Sequence, residues 1–473
     1  MIKIKREDFK VSLITFFGRL FQFILMFLAI KISTTILGPE EYGKYGIAMG
    51  FIAFISYIFI GPIGLMMNRN LNNWKNEGNL KKVLNIYFFY LIIISAIGGL
   101  FGSFYLEAIK FKRLLEFYCI FSYLLFFTVS YTLIPSLNIF GSMKLFYFYL
   151  NLNLFFGIFL GYLLVENFGS EYQYWLLGIS TGNMITAVLS YFTIKKSYFK
   201  VEKIRGFLNF KSNINFSIGI LLSSIFLWAH LMGYRFIAEE TVGYAILGQY
   251  MAEATIALGI ISAYEQITTG ILHPIFYKSA DHDNSAWKIY AEKMIISSIP
   301  VCFFIIGSSD FLGSIVLGEQ YQGNYLFLKL CAVSETIRVL ISTLSFKFHQ
   351  NLKTFNMIVP SGFLALGTNI TIFFYITSYG IIITPVAMII FGSIVSLIYM
   401  FVIGNETIVI IKSAAPSLIF CLIFYYFLDL GIKFFANEGF VKYLQFFLFS
   451  MSMGLLYIIA LRGRSIIYIL RKA

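Results

Sequence analysis

The sequence predicts an all-α polytopic membrane protein of about 14 transmembrane helices, and three observations carry that reading. The 473 residues are 59% hydrophobic and only 12% charged, with a mean hydropathy of +0.80, whereas soluble domains carry about 25% charged residues. Apolar material recurs in blocks of about 20 residues, the length a helix needs to cross about 30 Å of hydrocarbon. Short polar clusters separate the blocks, and cations gather on alternate clusters.

Breaking the chain at those clusters places the first-half spans at 11–35, 45–67, 83–106, 117–141, 145–165 and 175–194. The second half holds 213–236, 243–272, 293–316, 325–346, 357–378 and 383–404, and two more follow at 414–434 and 441–461. The opening "MIKIKREDFK" is charged and runs straight into the first block. No small-residue cleavage site closes a short apolar core there, so an uncleaved first span and no signal peptide are expected. Pro62, Pro135, Pro300, Pro360, Pro385 and Pro416 fall inside spans, where proline kinks a helix and neighbouring groups re-satisfy the freed backbone. Cys119, Cys302, Cys331 and Cys421 are scattered singly in apolar segments, a pattern of packed hydrophobes rather than of disulfides or zinc.

A net charge of +13 invites a nucleic-acid partner, and the placement of the cations dismisses it. With a cytoplasmic N-terminus, 25 of the 36 Lys and Arg fall in inside loops and tails, six outside and five within spans. That bias predicts both termini in the cytoplasm. Outside loops are about ten residues or fewer, and the longest inside loops are 68–82, 195–212 and 273–292. No soluble domain is expected on either face.

The chain also echoes itself. After the first span comes "ILGPEEYGKYGIAMG" (36–50), and after the seventh comes "FIAEETVGYAILGQ" (236–249). Each gives an apolar end, a paired Glu, then Gly and Tyr opening the next span, about 200 residues apart. This fits two six-helix halves, 1–200 and 201–406, split at the basic loop, with 407–473 holding the last two spans and a tail. Duplicated halves enclosing a central site are common in transporters.

"LGPEEYGKY" (37–45), "YRFIAEETVGYA" (234–245), "LGEQYQ" (317–322) and "YGIIITPVA" (379–387) stand in that order at successive span junctions. Together they resemble the polysaccharide-biosynthesis flippases of the Wzx type, within the multidrug/oligosaccharidyl-lipid/polysaccharide (MOP) exporter superfamily. The resemblance covers about residues 10–405, and the last two spans match the family's longer members. It implies two six-helix lobes around a central V-shaped cavity, plus two peripheral C-terminal helices. The implied activity moves undecaprenyl-pyrophosphate-linked oligosaccharide, an O-antigen or similar repeat unit, across the bacterial inner membrane. Membrane lipids, a polysaccharide polymerase and a chain-length regulator are the implied partners. One departure is that relatives often carry an acidic residue just before the arginine, where this chain has Gly233-Tyr234-Arg235.

Charges inside the spans are the candidate site. A cation at mid-bilayer costs about 2.5–3.5 kcal/mol even on the gentler insertion scale and usually faces a cavity. Arg19 lies eight residues past Val11, about 12 Å deep at 1.5 Å per residue, which favours a hydrated lumen over snorkelling or an ion pair. Lys31 and Arg235 sit near outer ends, where snorkelling is an equal alternative. Glu335 and Arg338 are three apart on one helix face, so either they neutralise each other or Arg338 joins the cationic lumen. A cationic lumen of Arg19, Lys31, Arg235 and Arg338 suits a pyrophosphate, to which arginine offers a fork of donors and lysine a point charge. Glu253, with Gln249 one turn earlier, and Glu335 are the ion-coupling candidates.

No GxxxxGK[ST] loop, HExxH or GxSxG occurs, so neither ATP hydrolysis nor another enzymatic step is expected, and no cofactor. "DHD" (281–283) reads as a solvated loop rather than a metal site. The principal alternative is multidrug or organic-cation efflux within the same superfamily, which calls for a mainly acidic, aromatic cavity. A polytopic polysaccharide polymerase or ligase is disfavoured because the outside loops are too short for its external machinery.

Overall fold

The computed structural model describes residues 6–106, 110–199, 214–280, 286–323, 325–350 and 354–432. The expected span 441–461, the "DHD" run and the loop cations Lys200, Lys203, Arg205 and Lys211 lie outside the described residues. Those described form fifteen α-helices and no strand. Ten stretches among them are long and apolar enough to cross a membrane. Two of these, Leu221–Thr269 with 49 residues and Ile358–Ile403 with 46, have about twice the length one crossing needs. The protein is an all-α, multi-pass membrane protein.

Contacts group the chain into two compact units, one of residues 1–239 with 243–248, the other of 240–242 with 249–473. The first contains α1 (Arg6–Ile36), α2 (Pro39–Ile55), α3 (Gly61–Glu77), α4 (Leu80–Leu106), α5 (Lys110–Ile139), α6 (Met143–Phe168), α7 (Tyr172–Tyr198), α8 (Ile214–Trp228) and the beginning of α9 (Tyr234–Ala280). A π-helical turn, Ser56–Ile60, joins α2 to α3. Pro62, at the start of α3, has no N–H to give the Ile58 carbonyl, and its ring crowds that carbonyl, so the backbone widens there. Tyr90 of α4 donates its hydroxyl to the Phe59 carbonyl at 2.6 Å. A second π turn, Ala229–Gly233, joins α8 to α9.

The centre of this unit is the crossing of α6 and α7, which Gly157-x-x-x-Gly161 meets with Gly178-x-x-x-Gly182. A Cβ at Gly178 would fall on the backbone of Gly161, and one at Gly182 on the backbone of Gly157. Lipid gives helices no hydrophobic drive to associate, so close van der Waals approach through small residues takes that role. Trp175 packs its ring against Gly161 at this crossing and is fully buried.

Residues 68–77 correct one expectation. The sequence reads 68–82 as a loop because of its run of Asn and charge, yet α3 continues to Glu77. Met67, Leu71 and Trp74 recur at helical spacing and are buried in the core of the unit, so the polar run is the wet face of an amphipathic helix. Gly78, at φ 79°, stops it in the left-handed region. The amides of Gly78 and Asn79 return to the carbonyls of Lys75 and Trp74, closing a Schellman turn.

The second unit holds the remainder of α9, then α10 (Ala286–Gly307), α11 (Ser309–Val316), α12 (Leu326–Gln350), α13 (Ile358–Tyr379), α14 (Ile383–Ile403) and α15 (Asn405–Ile432). The block 293–316, expected as one span, is two helices: α10 ends at Gly307, and Ser308 turns the chain into the eight-residue α11. Its α12 carries Lys329, Glu335 and Arg338 and is not among the ten apolar stretches. All four cysteines are buried and free.

Candidate substrate-binding site

The two echo segments fold against each other in the first unit. A Cβ at Gly43 would fall on the Tyr244 carbonyl, and one at Gly248 on the Pro39 carbonyl. Gly243 supplies the turn that makes this possible, at φ 80° and ψ 167°, a conformation closed to side-chain-bearing residues. Lys44 lies over the Tyr244 ring at 5.8 Å and pairs with Glu40 and Glu41 at 2.9 and 2.8 Å. Glu41 also accepts the Tyr172 amide at 3.1 Å, satisfying a free N–H in the first turn of α7 and the positive end of its dipole.

Further along the same seam, α2 presents two carbonyls one turn apart. Trp228 donates its indole N–H to the Gly50 oxygen at 2.8 Å, and Arg235 donates from Nη1 to the Gly46 oxygen at 2.8 Å. Glycine at position 50 lets these side chains in: its absent Cβ would stand 3.3 Å from the Phe236 ring and 3.7 Å from Arg235 Cδ. Phe54 meets Trp228 edge-on at 4.7 Å.

Arg235 is half-buried, with its guanidinium 5.9 Å from the Tyr234 ring. Its Nε is buried without a hydrogen-bond acceptor. No ion pair to Arg235 occurs among the described residues, in keeping with the missing acid at position 234. A guanidinium cannot shed its proton to relieve such a site. The seam therefore holds a fixed positive charge with donors to spare.

Each of the other expected residues has surroundings of its own. Arg19 is half-buried on α1, donates to Gln22 Oε1 at 2.8 Å and stacks over Tyr147 and Phe146 of α6 at 5.5 and 5.9 Å. This aromatic cradle supports a cation without neutralising it. Lys31 is half-buried near the C-terminal end of the same helix.

In the second unit, Arg338 donates from Nε to Glu335 Oε2 and from Nη2 to Glu265 Oε2, both at 2.6 Å. The three side chains keep 22, 16 and 21% of their surface exposed, and two carboxylates on one guanidinium leave a formal charge of −1. Glu265 is the member that sequence spacing missed, since it lies 73 residues away. Glu253, 7% exposed, accepts the Leu328 amide at 3.0 Å. It satisfies a first-turn N–H of α12, so an anchoring role is built into the residue expected to carry an ion. Another residue the sequence left unremarked is Glu116 of α5, a fully buried carboxylate. It sits one residue before the expected span 117–141, where a charge is unexceptional. No group of three or more His, Cys, Asp or Glu able to hold a metal occurs among the described residues.

The fold and these charges define a class: a multi-pass helical membrane protein with basic and acidic groups held inside its helix packing. No protein-family model matches the chain, and no curated protein matches it in sequence. Among solved structures it is similar to "Lipid II flippase MurJ, inward closed conformation", with a TM-score of 0.60 over 96% of this chain and 98% of that one, at 15% identity. It is also similar to a MATE in complex with MaD3S, at TM-score 0.56 over 84% of this chain and 94% of the other, with 13% identity. A third is an inward-facing multidrug resistance MATE family transporter of the MOP superfamily, at TM-score 0.55 over 84 and 96% of the two chains, again 13% identical. The likeness is one of fold.

Proposed function

We propose that this protein is a flippase of lipid-linked oligosaccharide, with undecaprenyl pyrophosphate as carrier, working by alternating access in the bacterial inner membrane with both termini cytoplasmic. The observation that carries the reading is Arg235: a half-buried guanidinium with an unpaired, buried Nε and, among the described residues, no carboxylate paired to it. A diphosphate is the ligand chemistry that such a fork of donors fits. Arg19 and Lys31 are the further cations proposed to meet it, while Arg338 is held by carboxylates in this conformation. The halves 1–200 and 201–406 are the proposed moving bodies, with 407–473 as an appendage. A polymerase and chain-length regulator are the proposed consumers of the delivered repeat unit. Glu253 and Glu335 are the proposed coupling-ion ligands, Glu335 together with Glu265. The likeness in fold to a structure described as a lipid II flippase supports this reading without naming the sugar.

Deletion of the gene in its host tests it. The expected outcome is loss of surface polysaccharide, with lipid-linked repeat units trapped on the inner leaflet. Complementation with Arg235→Ala is expected to restore less than a tenth of wild-type polysaccharide, and Arg235→Lys an intermediate amount, because an ammonium keeps the charge but not the fork. Full restoration by Arg235→Ala rejects the assignment. A second reading, export of an organic cation, is favoured by the surplus carboxylate beside Arg338. It predicts drug sensitivity with normal polysaccharide in the same deletion strain.

A further inference from the structure

A groove of about 520 Å³ runs along the surface of the first unit between α1 and α6. The two helices rise side by side in the same direction: Thr15 meets Met143 at 3.5 Å, and Asn151 bridges the Gly18 carbonyl at 3.2 Å and the Tyr147 carbonyl at 2.9 Å. Gly18 has only a hydrogen where a Cβ would strike the Tyr147 ring, and this close approach forms the groove floor. Its walls are Phe17 and Phe21 on one side and Phe148, Leu152 and Phe155 on the other. All four phenylalanines are exposed.

The groove carries its charge at one end, with the Asn151 amide and Tyr147 the other polar side chains lining it. Lys144, the second residue of α6, is exposed there and makes no ion pair among the described residues. The first turn of a helix adds the partial positive charge of its free amides. From Lys144 to Phe155 is eleven residues, about 16 Å of helix, against about 15 Å for half of the hydrocarbon thickness. A cation at the head, aromatic walls and the length of one leaflet describe a single lipid chain.

We propose that this groove binds one acyl chain of an anionic bilayer phospholipid, with the phosphate seated against Lys144 and the first turn of α6. A polyprenyl carrier is several times longer than the groove and is not the occupant. The assignment is independent of which head group the protein transports.

The full chain is reconstituted in vesicles of equal phosphatidylglycerol and phosphatidylcholine, re-extracted gently, and its retained lipids are counted by native mass spectrometry. Wild type is expected to retain phosphatidylglycerol in preference. Lys144→Glu is expected to reduce that preference about fivefold, the effect of one basic residue near a charged membrane surface, and at an exposed position it leaves the fold intact. Leu152→Trp fills the groove and is expected to remove one retained lipid of either kind. Equal retention of the two lipids by wild type overturns the proposal, as does either variant behaving like wild type. Displacement of the retained phosphatidylglycerol by an equal amount of undecaprenyl pyrophosphate overturns it too, and reassigns the groove to the transported lipid.

Discussion

A guanidinium inside a pair of apolar helices needs acceptors for five N–H donors, and Arg235 reaches the Gly46 carbonyl with one of them. Arg338 stands at the opposite extreme, held at 2.6 Å by each of two carboxylates. The asymmetry of that cluster gives a test. Arg338→Gln leaves Glu265 and Glu335 facing each other and is expected to cost about 1–3 kcal/mol, less than a fully buried pair because all three remain partly wet. Glu265→Gln keeps the Glu335 contact and is expected to cost less than half as much in thermal unfolding in detergent. Equal losses remove the asymmetry and with it the surplus charge. Glu253 separates anchoring from ion carriage. Glu253→Gln keeps an oxygen for the Leu328 amide and is expected to preserve stability, whereas Glu253→Ala loses about 1–2 kcal/mol. If transport by Glu253→Gln keeps its dependence on the ion gradient, Glu253 is an anchor alone.

At the scale of elements, the crossing of α6 and α7 sets the architecture of the first unit. Two glycine pairs bring the backbones together, and backbone atoms cannot swing aside as a side chain can. Gly178→Val is therefore expected to destabilise by several kcal/mol, about 3 or more, as overpacking at its most rigid. Gly323→Ala, with open space around its Cβ position, serves as the neutral control. A melting temperature for Gly178→Val within a degree of that control contradicts the crossing. Both glycine motifs, "GIFLG" and "GISTG", stand in plain view in the sequence. Their partnership does not, because any small-residue spacing of four is compatible with many helix faces. The two π turns differ in the same way: Pro62 announces the first, whereas nothing in "AHLMG" marks the second.

For the whole molecule, the cation bias predicts the orientation in the membrane, and cysteine labelling of intact cells measures it. The four native cysteines are buried, so background labelling is expected to be low. Lys44→Cys is expected to react with an impermeant maleimide from outside, and Lys196→Cys only after the cells are opened. The reverse pattern inverts the proposed topology. Sequence alone determined the class and most helix positions: blocks 357–378 and 383–404 correspond to α13 at Ile358–Tyr379 and α14 at Ile383–Ile403. The cause is local, since about 30 Å of hydrocarbon imposes length and apolarity on each segment separately. It misread 68–77 because a polar face and a loop share one composition, and only burial of Leu71 and Trp74 separates them. Tertiary structure alone decided which charges are neutralised. Glu265 meets Arg338 from 73 residues away, and Arg235 gives one N–H, from Nη1, to a glycine carbonyl. Such pairings depend on which helix faces adjoin and how closely, a distance in space that no spacing along the chain encodes.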